Sequence, residues 1–175
     1  GRTTLRANTT GGFNNAFGMY ALELNTTGSC NTAVGYFSLY ANTGGCRNTA
    51  SGNSSMQGNT TGWENTASGF YSLRCNTTGC HNTVLGSCAM YASVTGIYNT
   101  ALGHSALKCN TTANKNTALG VCALFSNTTG DRNTALGFTA LYTATTGNYN
   151  TSLGTQSSLY TTTASNNVIV GFQAA

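Results

Sequence analysis

The chain has 175 residues, a length that suits one ordinary globular domain, but only 6% are charged, against roughly a quarter in typical domains. Its only acids are Glu23, Glu64 and Asp131, too few for a carboxylate pair or an oxygen-rich metal cage, so we expect no enzyme, metal or cofactor. The net charge of +4 comes from scattered basic residues, and no apolar run approaches the roughly twenty residues that cross a bilayer, so we expect neither nucleic-acid binding nor membrane insertion.

From Asn8 onward the sequence divides into units of seventeen residues, beginning NTTGGFNNAFGMYALEL and NTTGSCNTAVGYFSLYA. The segment before Asn8 fits the last seven places of the same frame, and the last unit is incomplete. We therefore interpret residues 1–175 as a single tandem-repeat array, cut within a unit at both ends. The units start at residues 8, 25, 42, 59, 76, 93, 110, 127, 144 and 161, and positions are named below by their place in the unit.

Two places of the unit do not vary: the seventh is always Asn and the eleventh always Gly. The glycine indicates either a positive φ or a contact too close for a Cβ. The asparagine is open to two interpretations: a ladder of stacked side-chain amides, or a local turn closed within each unit. The seventh-place residues are Asn14, Asn31, Asn48, Asn65, Asn82, Asn99, Asn116, Asn133, Asn150 and Asn167.

Large apolar residues recur at the tenth and fifteenth places, and we expect both to form rows of the core, beside small residues at the ninth and fourteenth. Ser51 and Ser68 replace the tenth-place aliphatic residue, and in the ninth unit the leucine is displaced to Leu159. We expect those three units to be the weakest points of the array.

The segment NTALG is typical of a short strand and NTTG of a turn. The following residues leave one helical turn per unit as an alternative, since Gly137 and Leu141 have the i, i+4 spacing of a helix. Seventeen residues are too few for a pair of helices, so the predicted fold is all-β. We expect a β-solenoid or β-roll of about ten coils, which at strand spacing makes a rod roughly 50 Å long.

The units NTALGFTALYTATTG, NTAVGYFSLYANTGG and NTALGHSALKCNTTA resemble the arrays of bacteriophage tail-fibre and related bacterial surface proteins. More distantly, the step from Asn through a small and an aliphatic residue to Gly is similar to the head repeats of trimeric autotransporter adhesins. The resemblance spans the whole chain. It implies an extended fibre, trimeric or fibrillar, whose partners are copies of itself and whose location is extracellular, on a cell surface or on a virion.

Sequons of the form N-x-[ST] recur because most units open with NTT. A sugar at the turn of each coil would solubilise a chain with few charges, whereas the alternative is that a repeat rich in Asn and Thr generates sequons by chance. The candidate glycosylation sites are Asn8, Asn25, Asn53, Asn59, Asn76, Asn110, Asn127 and Asn150.

The seven cysteines are an odd number, so at least one thiol stays free or pairs outside the chain. None of their spacings gives the C-x-x-C of a zinc site. Cys30 and Cys46 occupy the sixth and fifth places of adjacent units, which predicts a candidate disulfide between them. The alternative is that the cysteines are small apolar fillers.

Aromatic residues cluster at the twelfth, thirteenth and sixteenth places, among them Tyr20, Phe37, Tyr40 and Tyr71. Such rows could pack against neighbouring chains or form a face that binds glycans or a host receptor. The sequence therefore favours a structural segment of an extracellular or virion fibre, with an adhesin-type binding module as the alternative.

Overall fold

The computed structural model describes residues 3–174 and is a parallel β-solenoid, as predicted. One strand of three residues, at the eighth to tenth places, recurs in every unit and pairs in parallel with the strands before and after it. The strands β1 to β10 are Asn15–Phe17, Thr32–Val34, Thr49–Ser51, Thr66–Ser68, Thr83–Leu85, Thr100–Leu102, Thr117–Leu119, Thr134–Leu136, Thr151–Leu153 and Val168–Val170.

The strands form a single sheet in the order of the sequence, and their register equals the repeat. Thr100 is paired with Thr117, and Leu102 with Leu119, so like residues lie next to one another along the axis. The described residues contain no helix, and the alternative of one helical turn per coil is therefore not realised.

The interior is narrow and is filled by one large and two small residues per coil. The fifteenth-place side chain is fully buried, as at Leu107 and Leu124, and this part of the core prediction is confirmed. Ala101 at the ninth place and Ala106 at the fourteenth are equally buried. Burial of one leucine stabilises the fold by about 1.5–3 kcal/mol, so the fifteenth-place row supplies most of the apolar driving force.

The prediction that the tenth place is a core row is wrong. Leu85 is 54% exposed and Leu119 42%, whereas the ninth-place residue between the two outer strand positions is buried. Side chains alternate across a strand, so burial of the ninth place sends the eighth and tenth places to the opposite, outer face. Ser51 and Ser68 are consequently outer-face residues that leave no gap in the core, and the expected weakness of their coils has no basis.

The ninth unit differs in the interior, as its displaced leucine predicts. Ser158 occupies the fifteenth place and is fully buried, while Leu159 is half-buried beside the row. The hydroxyl of Ser158 forms a hydrogen bond with that of Thr161. A polar group therefore replaces the largest apolar side chain of this coil.

Between the strands, the backbone turns through left-handed residues at fixed places. In the seventh unit these are Lys115, Cys122 and Leu124, with φ of 58°, 56° and 52°, at the sixth, thirteenth and fifteenth places. Each donates its N–H to an adjacent coil, Lys115 and Cys122 to the preceding one and Leu124 to the following one. The left-handed conformation costs roughly 1 kcal/mol or more for a non-glycine residue, a cost that these cross-coil hydrogen bonds and the burial of Leu124 offset.

The eleventh-place glycine has both a positive φ and a contact too close for a Cβ, the two reasons that its invariance indicates. Gly103 has φ of +136°, and a Cβ built there would lie 2.5 Å from the carbonyl oxygen of Gly120 in the next coil. The strand therefore ends at a corner where the backbones of successive coils touch directly, and no other residue fits.

Candidate functional site: buried ladders and outer rows

The seventh-place asparagines connect each coil to both of its neighbours. The Oδ1 of Asn99 accepts the backbone N–H of Asn116 at 3.0 Å and its side-chain Nδ2 at 3.3 Å. The same Nδ2 of Asn116 donates to the carbonyl of Gly130 in the following coil at 2.9 Å. Asn99 and Asn116 are fully buried, so all of these bonds lie away from solvent. The seventh-place asparagines therefore form a ladder between coils and do not close a local turn within each unit.

A second row of buried amides, at the first place, was not recognised in the sequence as a ladder. Asn42 donates its Nδ2 to the Oδ1 of Asn25 at 2.7 Å and to the carbonyl of Gly45 in its own turn at 3.0 Å. That carbonyl also accepts the Nδ2 of Asn31 at 2.8 Å. The two asparagine rows therefore meet at one backbone oxygen per coil. The asparagine at the first place of seven of the ten units was the signal that could have revealed the second row.

Departures from the NTTG opening weaken the first-place ladder locally. Ser93 stands in place of an asparagine, and the Nδ2 of Asn110 lies 3.4 Å from the Ser93 hydroxyl. The corresponding distance from Asn42 Nδ2 to Asn25 Oδ1 is 2.7 Å. Asn127 in turn lies 3.4 Å from the Oδ1 of Asn110. The buried Oδ1 atoms of Asn76 and Asn127, which precede Ser93 and Ala144 in the row, have no hydrogen-bond donor.

The threonines of the second place explain the rest of the motif. The carbonyl of Thr43 accepts three backbone N–H groups, from Thr26, Thr27 and Gly28 of the preceding coil, as well as the hydroxyl of Thr26 at 3.0 Å. A single carbonyl oxygen thus accepts the backbone N–H groups of three consecutive residues of the turn, so these groups need no hydrogen-bond acceptor within the turn itself. This contact recurs from coil to coil along the array, and it fixes the NTTG segment in register.

Burial of the two asparagine rows corrects six of the eight glycosylation predictions. Asn25, Asn59, Asn76, Asn110 and Asn127 are fully buried, and Asn150 is 2% exposed, with their Nδ2 atoms engaged in the ladders. An N-linked sugar is attached through that nitrogen, so a glycan at these six sites is incompatible with the folded solenoid. Asn8 and Asn53 are exposed, and for those two sites glycosylation stays a prediction.

The candidate disulfide between Cys30 and Cys46 is not formed, and all seven cysteines are free thiols. The sulfur of Cys46 is directed to the backbone: it accepts the N–H of Ser29 at 3.3 Å and donates to the carbonyl of Gly44 at 3.4 Å. Cys30, at the left-handed sixth place, is exposed. The fifth and sixth places therefore present their side chains to different surroundings, although the two residues belong to adjacent coils.

The outer face of the sheet carries an apolar stripe. It comprises the tenth-place residues and the twelfth-place residues beside them, where Phe70 is 47% and Phe138 50% exposed. In the ten units that start at Asn8 and later, the eighth, tenth and twelfth places contain no Asp, Glu, Lys or Arg. The stripe follows the sheet from β1 to β10, is interrupted in the third unit by Ser51 and Asn53, and is called the outer apolar row below.

Aromatic and basic side chains interact at the thirteenth and sixteenth places. Phe37 stacks on Tyr20 at 4.7 Å between ring centroids and contacts Tyr40 edge-on at 4.9 Å. Farther along, the guanidinium of Arg74 lies 4.7 Å from the ring centroid of Tyr71 and 5.6 Å from that of Tyr91. These rows are ordered by contacts within the chain before any partner binds.

The few acids are already paired with groups of the chain. Glu23 binds Arg6 at 2.9 Å, and Glu64 binds Arg47 at 2.9 Å and His81 at 3.2 Å. The third acid, Asp131, accepts the backbone N–H of Asn114 at 2.7 Å. Within residues 3–174 no group of three His, Cys, Asp or Glu side chains could hold a metal ion.

No described helix is long and apolar enough to cross a membrane. Comparison of the chain with protein-family models, with curated proteins and with solved structures finds no match. The geometry itself therefore defines the class, a parallel β-solenoid whose seventeen-residue coils are joined by two buried asparagine ladders.

Proposed function

We propose that the chain is a structural segment of an extracellular or virion fibre and that it is not an enzyme. The observation that carries this proposal is the pair of asparagine ladders, in which Asn99 binds Asn116 and Asn25 binds Asn42 across successive coils. Bonds of this kind link each coil only to its neighbours, so the molecule extends along one axis and resists separation of its coils. A rod gives mechanical reach, and the resemblance of the repeats to tail-fibre arrays supports the same role.

The partner in this proposal is a second copy of the chain, packed along the outer apolar row. Leu119 and Leu136 leave apolar surface in water on successive coils, which is unfavourable for an isolated rod. The row has the repeat of the solenoid and, from Asn8 onward, contains no Asp, Glu, Lys or Arg, so two copies can lie side by side there without like-charge repulsion. A trimer or a fibril would bury the row on every coil.

Replacement of two leucines of the outer apolar row tests this proposal. We expect the unmodified chain to assemble in sedimentation velocity and to form rods or filaments in negative-stain electron micrographs. The double variant Leu119→Lys with Leu136→Lys should remain a single chain with an unchanged circular dichroism spectrum. The matched control Thr112→Lys with Thr129→Lys places the same charges on exposed third-place residues of the same two coils and should still assemble. A monomeric unmodified chain, or equal behaviour of the two variants, would contradict the proposal.

An adhesin-type module that binds glycans or a receptor is the second candidate function. The observation in its favour is the ordered set of aromatic and basic side chains around Arg74, whose guanidinium is bonded to Gln57 and lies on the ring of Tyr71. Retention on immobilised glycans by the monomeric double lysine variant would support this function independently of assembly.

A further inference from the structure

A groove of about 340 Å³ crosses three coils beside the sixteenth-place row. Tyr40 forms one wall and Arg74 the other, with Gln57 and Gly58 between them. Gly58 is the only glycine at the seventeenth place, so the floor of the groove lacks the side chain that other coils carry there. Tyr40, Gln57 and Arg74 occupy the sixteenth place of three successive coils, about 4.8 Å apart along the axis, so the groove runs over all three side chains.

Arg74 is held in a fixed orientation at this groove. Its Nε donates to Gln57 Oε1 at 3.0 Å, one terminal nitrogen donates to the hydroxyl of Tyr91 at 2.6 Å, and its guanidinium lies on the ring of Tyr71. The other terminal nitrogen and the Nε2 of Gln57 have no hydrogen-bond partner among residues 3–174. Arg74 and Gln57 both line the groove, so a ligand bound there would contact these two residues.

Arg74 also lacks a counter-ion within the described part of the chain. The three carboxylates bind elsewhere, Glu23 to Arg6, Glu64 to Arg47 and His81, and Asp131 to the backbone of Asn114. Because Arg74 is half-buried, its charge is less well solvated than that of an exposed arginine. An anion from outside the chain would supply the missing partner.

Tyr40, at the other end of the groove, indicates the chemistry of the remainder of the ligand. The ring of Tyr40 is held edge-on by Phe37 at 4.9 Å, and it offers a flat apolar surface with a hydroxyl at its tip. Such a surface suits the C–H face of a sugar ring. A single guanidinium, with no other cation lining the groove, matches one carboxylate better than a more highly charged phosphate.

We propose that the groove between Tyr40 and Arg74 binds a carboxylate-bearing sugar of the uronic acid class, with the carboxylate on Arg74 and Gln57 and the ring against Tyr40. The site lies away from the outer apolar row and does not depend on assembly of the chain into a fibre.

Titration of the whole ¹⁵N-labelled chain with D-glucuronate, followed by NMR, tests the site. We expect saturable shifts at the amides of Gln57, Gly58 and Cys75, and binding at least about tenfold tighter than that of D-glucose, which lacks the carboxylate, or acetate, which lacks the ring. Glucuronate that binds no better than either compound would overturn the proposal. Inorganic phosphate that binds as tightly as glucuronate would also overturn it, since the site would then recognise only charge.

Three variants separate the site from the general positive charge of the chain. Arg74→Gln should weaken glucuronate binding at least about tenfold, and Arg74→Lys, which keeps the charge but loses the planar fork, should also weaken it. The matched control Lys108→Gln removes a cation from the same place two coils further on, where the ammonium lies 5.5 Å from the Phe125 ring, and should leave binding unchanged. Equal losses in Arg74→Gln and Lys108→Gln would overturn the proposal. If Arg74→Gln does not fold, the comparison of Arg74→Lys with Lys108→Gln decides in the same way.

Discussion

The side-chain oxygen of Asn127 is buried without a hydrogen bond because Ala144, the next residue of its row, has no amide to donate. Where the next residue of the row is asparagine, the equivalent oxygen accepts a bond, as Asn25 Oδ1 does from Asn42 at 2.7 Å; Asn76 Oδ1, which precedes Ser93, shares the defect of Asn127. A buried acceptor that lacks a partner costs about 1–3 kcal/mol. The ladder therefore has a defect that a single substitution can repair.

Ala144→Asn should raise the free energy of unfolding by about 1–2 kcal/mol, since it supplies a donor to Asn127 Oδ1. The new side-chain oxygen would face Thr161, which carries a hydroxyl. Urea denaturation followed by circular dichroism measures the change. Ala144→Leu is the control, because leucine has the branched shape of asparagine but no donor. An asparagine variant no more stable than the leucine variant would show that the ladder bond contributes nothing.

Gly103→Ala should destabilise the chain by roughly 3 kcal/mol or more, because its φ is +136° and the added Cβ would lie 2.5 Å from the carbonyl of Gly120. Gly44→Ala is the matched control. A Cβ at Gly44 would have its nearest neighbour at 3.5 Å, and the residue has no positive φ. The control should be neutral or slightly stabilising in thermal unfolding. Equal losses for both variants would contradict the close contact of coils at the eleventh place.

The exposed left-handed Lys115, with φ of 58°, offers a test of the turn conformation. Asparagine tolerates this conformation better than other non-glycine residues, and the last unit carries Asn166 at the same place with φ of 62°. Lys115→Asn should therefore be as stable as the unmodified chain or more stable. Lys115→Val removes the same charge but is β-branched, and it should be less stable by about 1–2 kcal/mol. No difference in melting temperature between the two variants would contradict the left-handed geometry.

Burial raises the pKa of the Cys80 thiol, with the charge of Glu64 acting in the same direction, and burial also raises the pKa of Cys122. At pH 8 a smaller fraction of each of these thiols should therefore be deprotonated to the reactive thiolate than in the unfolded chain. Iodoacetamide should modify the exposed Cys30 first. Mass spectrometry of timed digests measures the order of modification.

The two pKa shifts also predict how stability depends on pH. The folded state holds these protons more tightly than the unfolded state, so stability is retained below the ordinary thiol pKa and declines as the pH rises above it. Modification of Cys80 and Cys122 as fast as Cys30, or joint protection of Cys30 and Cys46 as in a disulfide, would contradict the thiol environments described above.

The period determined most of what could be predicted from the sequence. Identical residues at a fixed spacing imply stacked coils, and from this follow the parallel register of Thr100 on Thr117 and the buried row that contains Leu107. The error at the tenth place arose because hydrophobicity alone assigned Leu119 to the core. The alternation of side chains along a strand would have corrected this error, because Leu119 must point outward when its neighbour Ala118 points into the core.

Other features could not be derived from residue types. Leu124 and Cys122 adopt left-handed conformations that their side chains disfavour, and only cross-coil hydrogen bonds make those conformations acceptable. Asn25 and Asn59 match the pattern of an exposed sequon, yet they lie in the interior. A local motif does not reveal whether its asparagine faces water or the next coil, since the stacking of the whole array decides that.

The central claim is that successive units stack in register through bonds between coils. Scalar couplings transmitted across hydrogen bonds, measured by long-range HNCO spectroscopy on the deuterated chain, test this claim most directly. We predict couplings between the amide nitrogen of Gly120 and the carbonyl carbon of Leu102, and between the amide nitrogen of Thr117 and the carbonyl carbon of Asn133, which are joined by bonds of 2.8 Å. Couplings confined to residues three or four apart, with none between neighbouring units, would contradict it.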